Sequence, residues 1–146
     1  MLIPDFSRYS LALVEGEAII HSSNGAGLRP LWDALKIFHD RSGLILHDKV
    51  MGLAAARLIV YSGVVAGVVT KVVSMPARRF LQENGIALSA DGVADNILTR
   101  DTSSVCPGEV IALSTDDPKV FLQKIEAMMG LQVQSIANAP RAAGNL

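Results

Sequence analysis

What constrains this chain most is the way short apolar runs alternate with helix-patterned segments through its middle. Leu44-Ile45-Leu46, the β-branched stretch from Val64 to Val73, and Ile86 to Leu88 have the character of strands. Continuous apolar runs of this kind suit strands covered on both sides. The segments between them carry helix signals. The stretch after Asp48, running to about Tyr61, has a small-residue face of Gly52, Ala55 and Ala56, and Ser62-Gly63 stops it. Met75-Pro76 opens a further helix, PARRFLQEN, which Gly85 closes. Strands alternating with helices imply a mostly parallel sheet with helices on both faces.

Ahead of this unit, Ser10 to Val14 and Glu17 to His21 read as a hairpin across a Glu15-Gly16 turn, adding an antiparallel edge. SSNGAG is a loop, and its glycines lack the spacing of a dinucleotide fingerprint. Arg29-Pro30 opens a helix to about Phe38, with Leu31, Leu35 and Phe38 at helical spacing. Beyond the last strand, Asp91 to Leu98 is expected to form a short helix and TRDTSSVCPGE a polar loop. Pro107 to Leu113 should add one or two helical turns. Asp117-Pro118 should start a longer helix ending at Gly130. One domain over residues 8–130 is expected, with a partly ordered tail over 131–146.

The composition narrows the function classes. The chain has 146 residues, enough for a core without staples; 50% are hydrophobic, 18% are charged, and the formal net charge is -1. Nucleic-acid binding is not indicated, since that needs a concentrated basic surface. Only Arg57, Lys71, Arg78, Arg79 and Lys119 are candidates for a shared basic face. The single cysteine, Cys106, permits no disulfide within the chain and fits a reducing, cytoplasmic setting. No signal peptide is recognised, and no apolar stretch reaches the roughly 18 residues of a membrane helix. The light charge leaves room for a homodimer.

Three places carry candidate chemistry. Asp48 and Lys49 are expected directly after a buried strand, with Asp48 capping the next helix, where free N–H groups favour an anion. Ser74, ahead of Pro76, is the topological twin, either a cap or a ligand donor. The third place is the run Arg100, Asp101, Ser103, Ser104, Cys106 and Glu109. Cys106 precedes Pro107, and Glu109 stands where a capping box would place it. A thiol at a helix start is a candidate nucleophile, although cysteines are also commonly buried structural residues. His47 beside Asp48 is a candidate base. His21, His39 and His47 lack metal-ligand spacing, so no metal site is expected. The sequence leaves any cofactor unknown.

At these residues the chain resembles the DUF1893 family, whose fold is like that of the cytidine deaminases. The resemblance covers Leu11 to Met128. It rests on LRPLWDAL, HDKVMGLAAARLIVYSGV, KVVSMPARRFLQENGI, NILTRDTSSVCPGE and the DDP that follows. It implies a three-layer α/β/α sandwich, with a mixed sheet of about five strands and an N-terminal hairpin. It does not imply deamination. Deaminases carry His-x-Glu at the second core helix and Pro-Cys-x-x-Cys at the third. This chain has Asp48-Lys49-Val50 and Ser74-Met75-Pro76 at those places. Without the ligands and the glutamate, zinc-dependent attack on a base has no machinery.

The resemblance marks Asp48, Lys49, Arg100, Asp101, Cys106, Pro107 and Glu109 as the characteristic polar positions. Thr102-Ser103-Ser104 and Gly108 depart from the family pattern. It implies no established biochemical activity. Two readings follow. One is a binder of a small polar or anionic molecule, or a metal-independent enzyme. Asp48, Lys49, Asp101 and Cys106 would be its chemical groups, and Ser74, Arg100, Ser103, Ser104 and Glu109 its ligand contacts. The other is a non-catalytic structural or regulatory module.

Overall fold

The computed structural model describes residues 2–97 and 106–130. In chain order the elements are β1 (Leu11–Glu15), β2 (Ala18–Ser23), α1 (Arg29–Ile37), β3 (Leu44–Met51), α2 (Leu53–Ser62), β4 (Val65–Ser74), α3 (Met75–Glu83), β5 (Ala87–Ala94), α4 (Pro107–Ser114) and α5 (Pro118–Met128). The strands form one mixed sheet of order β2-β1-β3-β4-β5. β1 runs antiparallel to β2 and β3, while β3, β4 and β5 are parallel. This is a mixed α/β fold with an antiparallel hairpin at one edge. No helix among the described residues is long and apolar enough to cross a membrane.

Three expectations need correction. The hairpin turns at Gly16-Glu17 rather than Glu15-Gly16, because Glu15 pairs with Ala18 and Gly16 takes the positive φ of 62°. β3 does not stop at Leu46. Asp48 pairs with Leu11 on one side and Thr70 on the other, and the Lys49 N–H donates to the Ser10 carbonyl at 3.0 Å. Ladder bonds from two neighbouring strands outcompete a helix start there, and α2 begins only at Leu53. Asp91 to Ala94 likewise extend β5 instead of forming a helix, because ten-residue β4 offers partners as far as Ser74↔Ala94. The expected tail over 131–146 lies outside the described residues.

One hydrophobic cluster draws on all five helices and on one side of the sheet. Leu11, Leu13, Leu44, Leu46 and Val68 meet Leu31 and Leu35 of α1, Ile59 of α2, Leu81 of α3, Ala112 of α4, and Phe121 and Ile125 of α5. Side chains alternate along a strand. Ala12, Val14 and His47 take the intervening positions, are also buried, and stand apart from that cluster.

Arg57 ties two helices together. It is only 4% exposed, inside an otherwise apolar α2. Its guanidinium donates to the Ala112 carbonyl at 2.9 Å, to the Thr115 carbonyl, and to the Asp116 carbonyl at 3.1 Å, while Nε donates to the Tyr61 hydroxyl at 2.9 Å. The Phe121 ring lies 4.1 Å from the guanidinium carbon. A cation at the carbonyl end of α4 complements the helix dipole. This burial removes Arg57 from the basic face considered above.

On the other side of the sheet, the segment before β1 packs over His47. Tyr9 stacks on the imidazole at 6.2 Å between centroids, and its Oη lies 3.0 Å from Nδ1. Oη also accepts the Asp5 N–H at 3.1 Å. The direction of the Oη–Nδ1 bond follows the ring's tautomer, and Nε2 is the other ring nitrogen. Among the described residues that buried Nε2 has no hydrogen-bond partner. Burial holds the imidazole below its ordinary value of 6.5, with the Leu2 backbone carbonyl pulling the other way.

The unfolded chain takes the His47 proton first, so stability falls as pH drops through about 6.5. Urea unfolding should show this loss between pH 7.5 and 5.5, and His47→Gln should remove that part of the slope. Tyr9→Phe leaves Nδ1 and the Asp5 N–H unpaired and should cost about 1–3 kcal/mol at pH 7.5.

Candidate functional site

Two parallel strands deliver two helix starts to the same edge of the sheet. β3 ends at Met51, which pairs with Val73, and β4 ends at Ser74 immediately before α3. Ser74 is fully buried in extended conformation, and its Oγ accepts the Ala77 N–H at 3.2 Å. It is therefore the α3 cap, as one of its two readings had it.

The start of α2 is built differently. Its cap position is Gly52, which has no side chain to offer. The carboxylate of Glu109, from α4, takes that role across the fold. Oε2 accepts from Leu53 N at 2.8 Å and Oε1 from Ala54 N at 2.7 Å. Free N–H groups at a helix start favour a negative partner. A Cβ on Gly52 would stand 2.6 Å from Glu109 Oε1, so glycine is what lets the carboxylate approach.

This corrects two expectations. Asp48 does not cap α2, and Glu109 does not close a capping box on its own helix. Glu109 is the third residue of α4, but the Cys106 N–H that such a box would hold donates instead to the Ile97 carbonyl at 2.9 Å. Cys106 occupies the α4 cap position, half-buried, and its side chain makes no capping bond. The residues opening α2 are Gly52, Leu53 and Ala54, so the helix start itself also lacks the deaminase His-x-Glu.

Asp48 and Lys49 are neighbours in a strand, which sends their side chains to opposite faces. Asp48 shares the face of its partner Leu11, a member of the main cluster, whereas Lys49 is exposed. Desolvation pushes the Asp48 carboxyl up to about 8, against the opposing pull of the Val50 and Lys49 backbone N–H groups. The residue as a whole keeps partial exposure, so the enclosure belongs to the carboxyl rather than to the backbone.

Arg100, Asp101, Ser103 and Ser104 lie outside the described residues. Among the described residues, no group of at least three His, Cys, Asp or Glu side chains is placed to hold a metal ion.

Sequence reasoning named both charged side chains that join α2 to α4 but gave neither this role. Arg57 carried a signal, a lone charge in the middle of LAAARLIVYS. Glu109 did not, because its partners lie 55 and 56 residues earlier.

The Gly52–Glu109 contact is testable by a double-mutant cycle in urea. Gly52→Ala should cost about 1–3 kcal/mol through overpacking. Glu109→Ala should cost a similar amount by orphaning two N–H groups. The double variant should lose clearly less than the sum, since the added methyl then meets no carboxylate.

Comparison with known proteins agrees with this architecture. A model of the domain of unknown function DUF1893 matches residues 5–129. The crystal structure of a DUF1893 family protein from Thermotoga maritima is similar with a TM-score of 0.75 and 29% sequence identity. The match covers 84% of this chain and 82% of that one. No curated protein matches the chain. With the family model spanning most of its length, the chain belongs to the DUF1893 family.

Proposed function

We propose that this protein binds a small polar molecule at the edge where β3 and β4 give way to α2 and α3, using Asp48 as its central polar group. The observation that carries this reading is the desolvated Asp48 carboxyl, raised to about 8 near the carboxyl end of a parallel strand. Ligands of open α/β sheets gather at such ends. A carboxylic acid kept neutral at pH 7 can donate a hydrogen bond that an ordinary aspartate cannot.

The late segment would complete the site, with Arg100 holding an anionic or carbonyl group and Asp101, Ser103 and Ser104 as further contacts. Cys106 would add metal-independent chemistry if the protein is an enzyme, whereas Lys49 leaves β3 on the opposite face from Asp48 and stands outside this site. The cytidine deaminase-like type belongs to the same reading, though without its three-layer arrangement, since the five helices meet one side of the sheet. The five-stranded mixed sheet and the helix starts after β3 and β4 support it. A cytoplasmic setting, from the single cysteine, and a homodimer, from the light charge, are proposed alongside it.

A specific observation also favours the structural alternative. Both oxygens of Glu109 and the Oγ of Ser74 are engaged by helix N–H groups, so these two candidates act first as caps. A thermal-shift screen against nucleosides, nucleotides and small organic acids separates the readings. Stabilisation by one compound, lost in Asp48→Asn, supports the site. A screen without any shift supports the module.

Asp48 also sets a pH dependence of its own. Its folded value lies above the unfolded one, so the cost of burying it is absent at low pH and grows as pH rises from about 4 to about 8. Asp48→Asn should therefore melt higher than the wild type at pH 8, with the gap closing toward pH 4.

A further inference from the structure

The face of the sheet that carries His47 holds a cavity beneath the segment before β1. His47 pairs with Val69, and Val69 with Ser89, so these three form one row across β3, β4 and β5. The segment before β1 lies over part of this row. Between segment and sheet runs a cleft of about 340 Å³, with Leu2, Pro4 and Phe6 on one wall and Val69, Ser89 and Asp91 on the other. That volume falls at the lower end of the range for small-ligand sites.

The walls differ in chemistry. The segment side is apolar. The β5 side presents the hydroxyl of Ser89 and the carboxylate of Asp91, both on exposed residues. Asp91 has no hydrogen bond or ion pair among the described residues.

We infer that this cleft binds a small primary amine with an aromatic or aliphatic body. The ammonium sits against Asp91 and Ser89, and the body against Leu2, Pro4, Phe6 and Val69. The carboxylate selects for positive charge, since an acid of the same shape would meet repulsion there. Apolar walls supply the burial that holds the body. The inference does not rest on the reading of Asp48, which lies on the opposite face and contributes nothing to this cleft.

The test uses the full chain and two probes of matched shape, 2-phenylethylamine and phenylacetate, titrated in NMR with the amides of Val69, Ser89 and Asp91 as reporters. The amine should perturb these amides in a saturable way, and phenylacetate should not. Asp91→Asn should weaken the amine by about tenfold, the loss expected for one charge-assisted hydrogen bond. The variant's melting temperature should stay unchanged, because Asp91 is exposed. No saturable shift with the amine, equal response to both probes, or undiminished binding by Asp91→Asn would each overturn the inference.

Discussion

The contact on which much of this structure depends is the Glu109 carboxylate seated against the first turn of α2. It satisfies two N–H groups that the sequence around Gly52 cannot satisfy itself. At the other end of the same helix pair, Arg57 answers by binding the last carbonyls of α4. The two helices therefore run in the same direction, with an anion at their amino ends and a cation at the carboxyl end of α4. Each charge is buried with hydrogen bonds around it, the condition under which burial of a charge is tolerable. Removing either would leave backbone groups or an ion without partners.

This clamp also shapes the candidate site. It fixes the start of α2 beside the end of β3, and Ser74 does the same for α3 beside the end of β4. On the helix side of this edge the polar groups of Glu109 and Ser74 are engaged by backbone N–H groups. Asp48 differs in kind. Among the described residues its carboxyl has burial without an opposite charge, and neutrality is the cheaper state in such surroundings. Directly next to it in sequence, His47 is also driven toward its neutral form, on the other face of the sheet.

Much of the architecture was legible in the sequence because it depends on local signals. Gly63 and Gly85 take the left-handed conformation after α2 and α3 that their positions predicted, and Asp117 caps α5 through its own side chain. The errors came where neighbours from distant parts of the chain decide. Asp48 looks like a cap because Asp before a small-residue helix usually is one. Its strand partners Leu11 and Thr70 override that preference. Glu109 looks like half of a capping box, and only the fold shows that a bare glycine elsewhere has the greater need. The sequence did show the small-residue face that includes Gly52, though not which group fills the space beside it.

The span of the α2 cap has a consequence for how the chain is made. A ribosome releases the β1–β2 hairpin, β3 and all of α2 well before residue 109 emerges. During that interval the opening turn of α2 has no anion against it, and its first N–H groups face water. The parallel β3–β4 pairing can form, but the helix that crosses between them stays frayed at its start until α4 arrives. Closing a loop of that length costs only slightly more entropy than closing one half as long. The delay is therefore one of order rather than of stability. Nascent chains halted before α4 should behave as a loosened sheet, and the final third of the protein acts as the fastener for the middle.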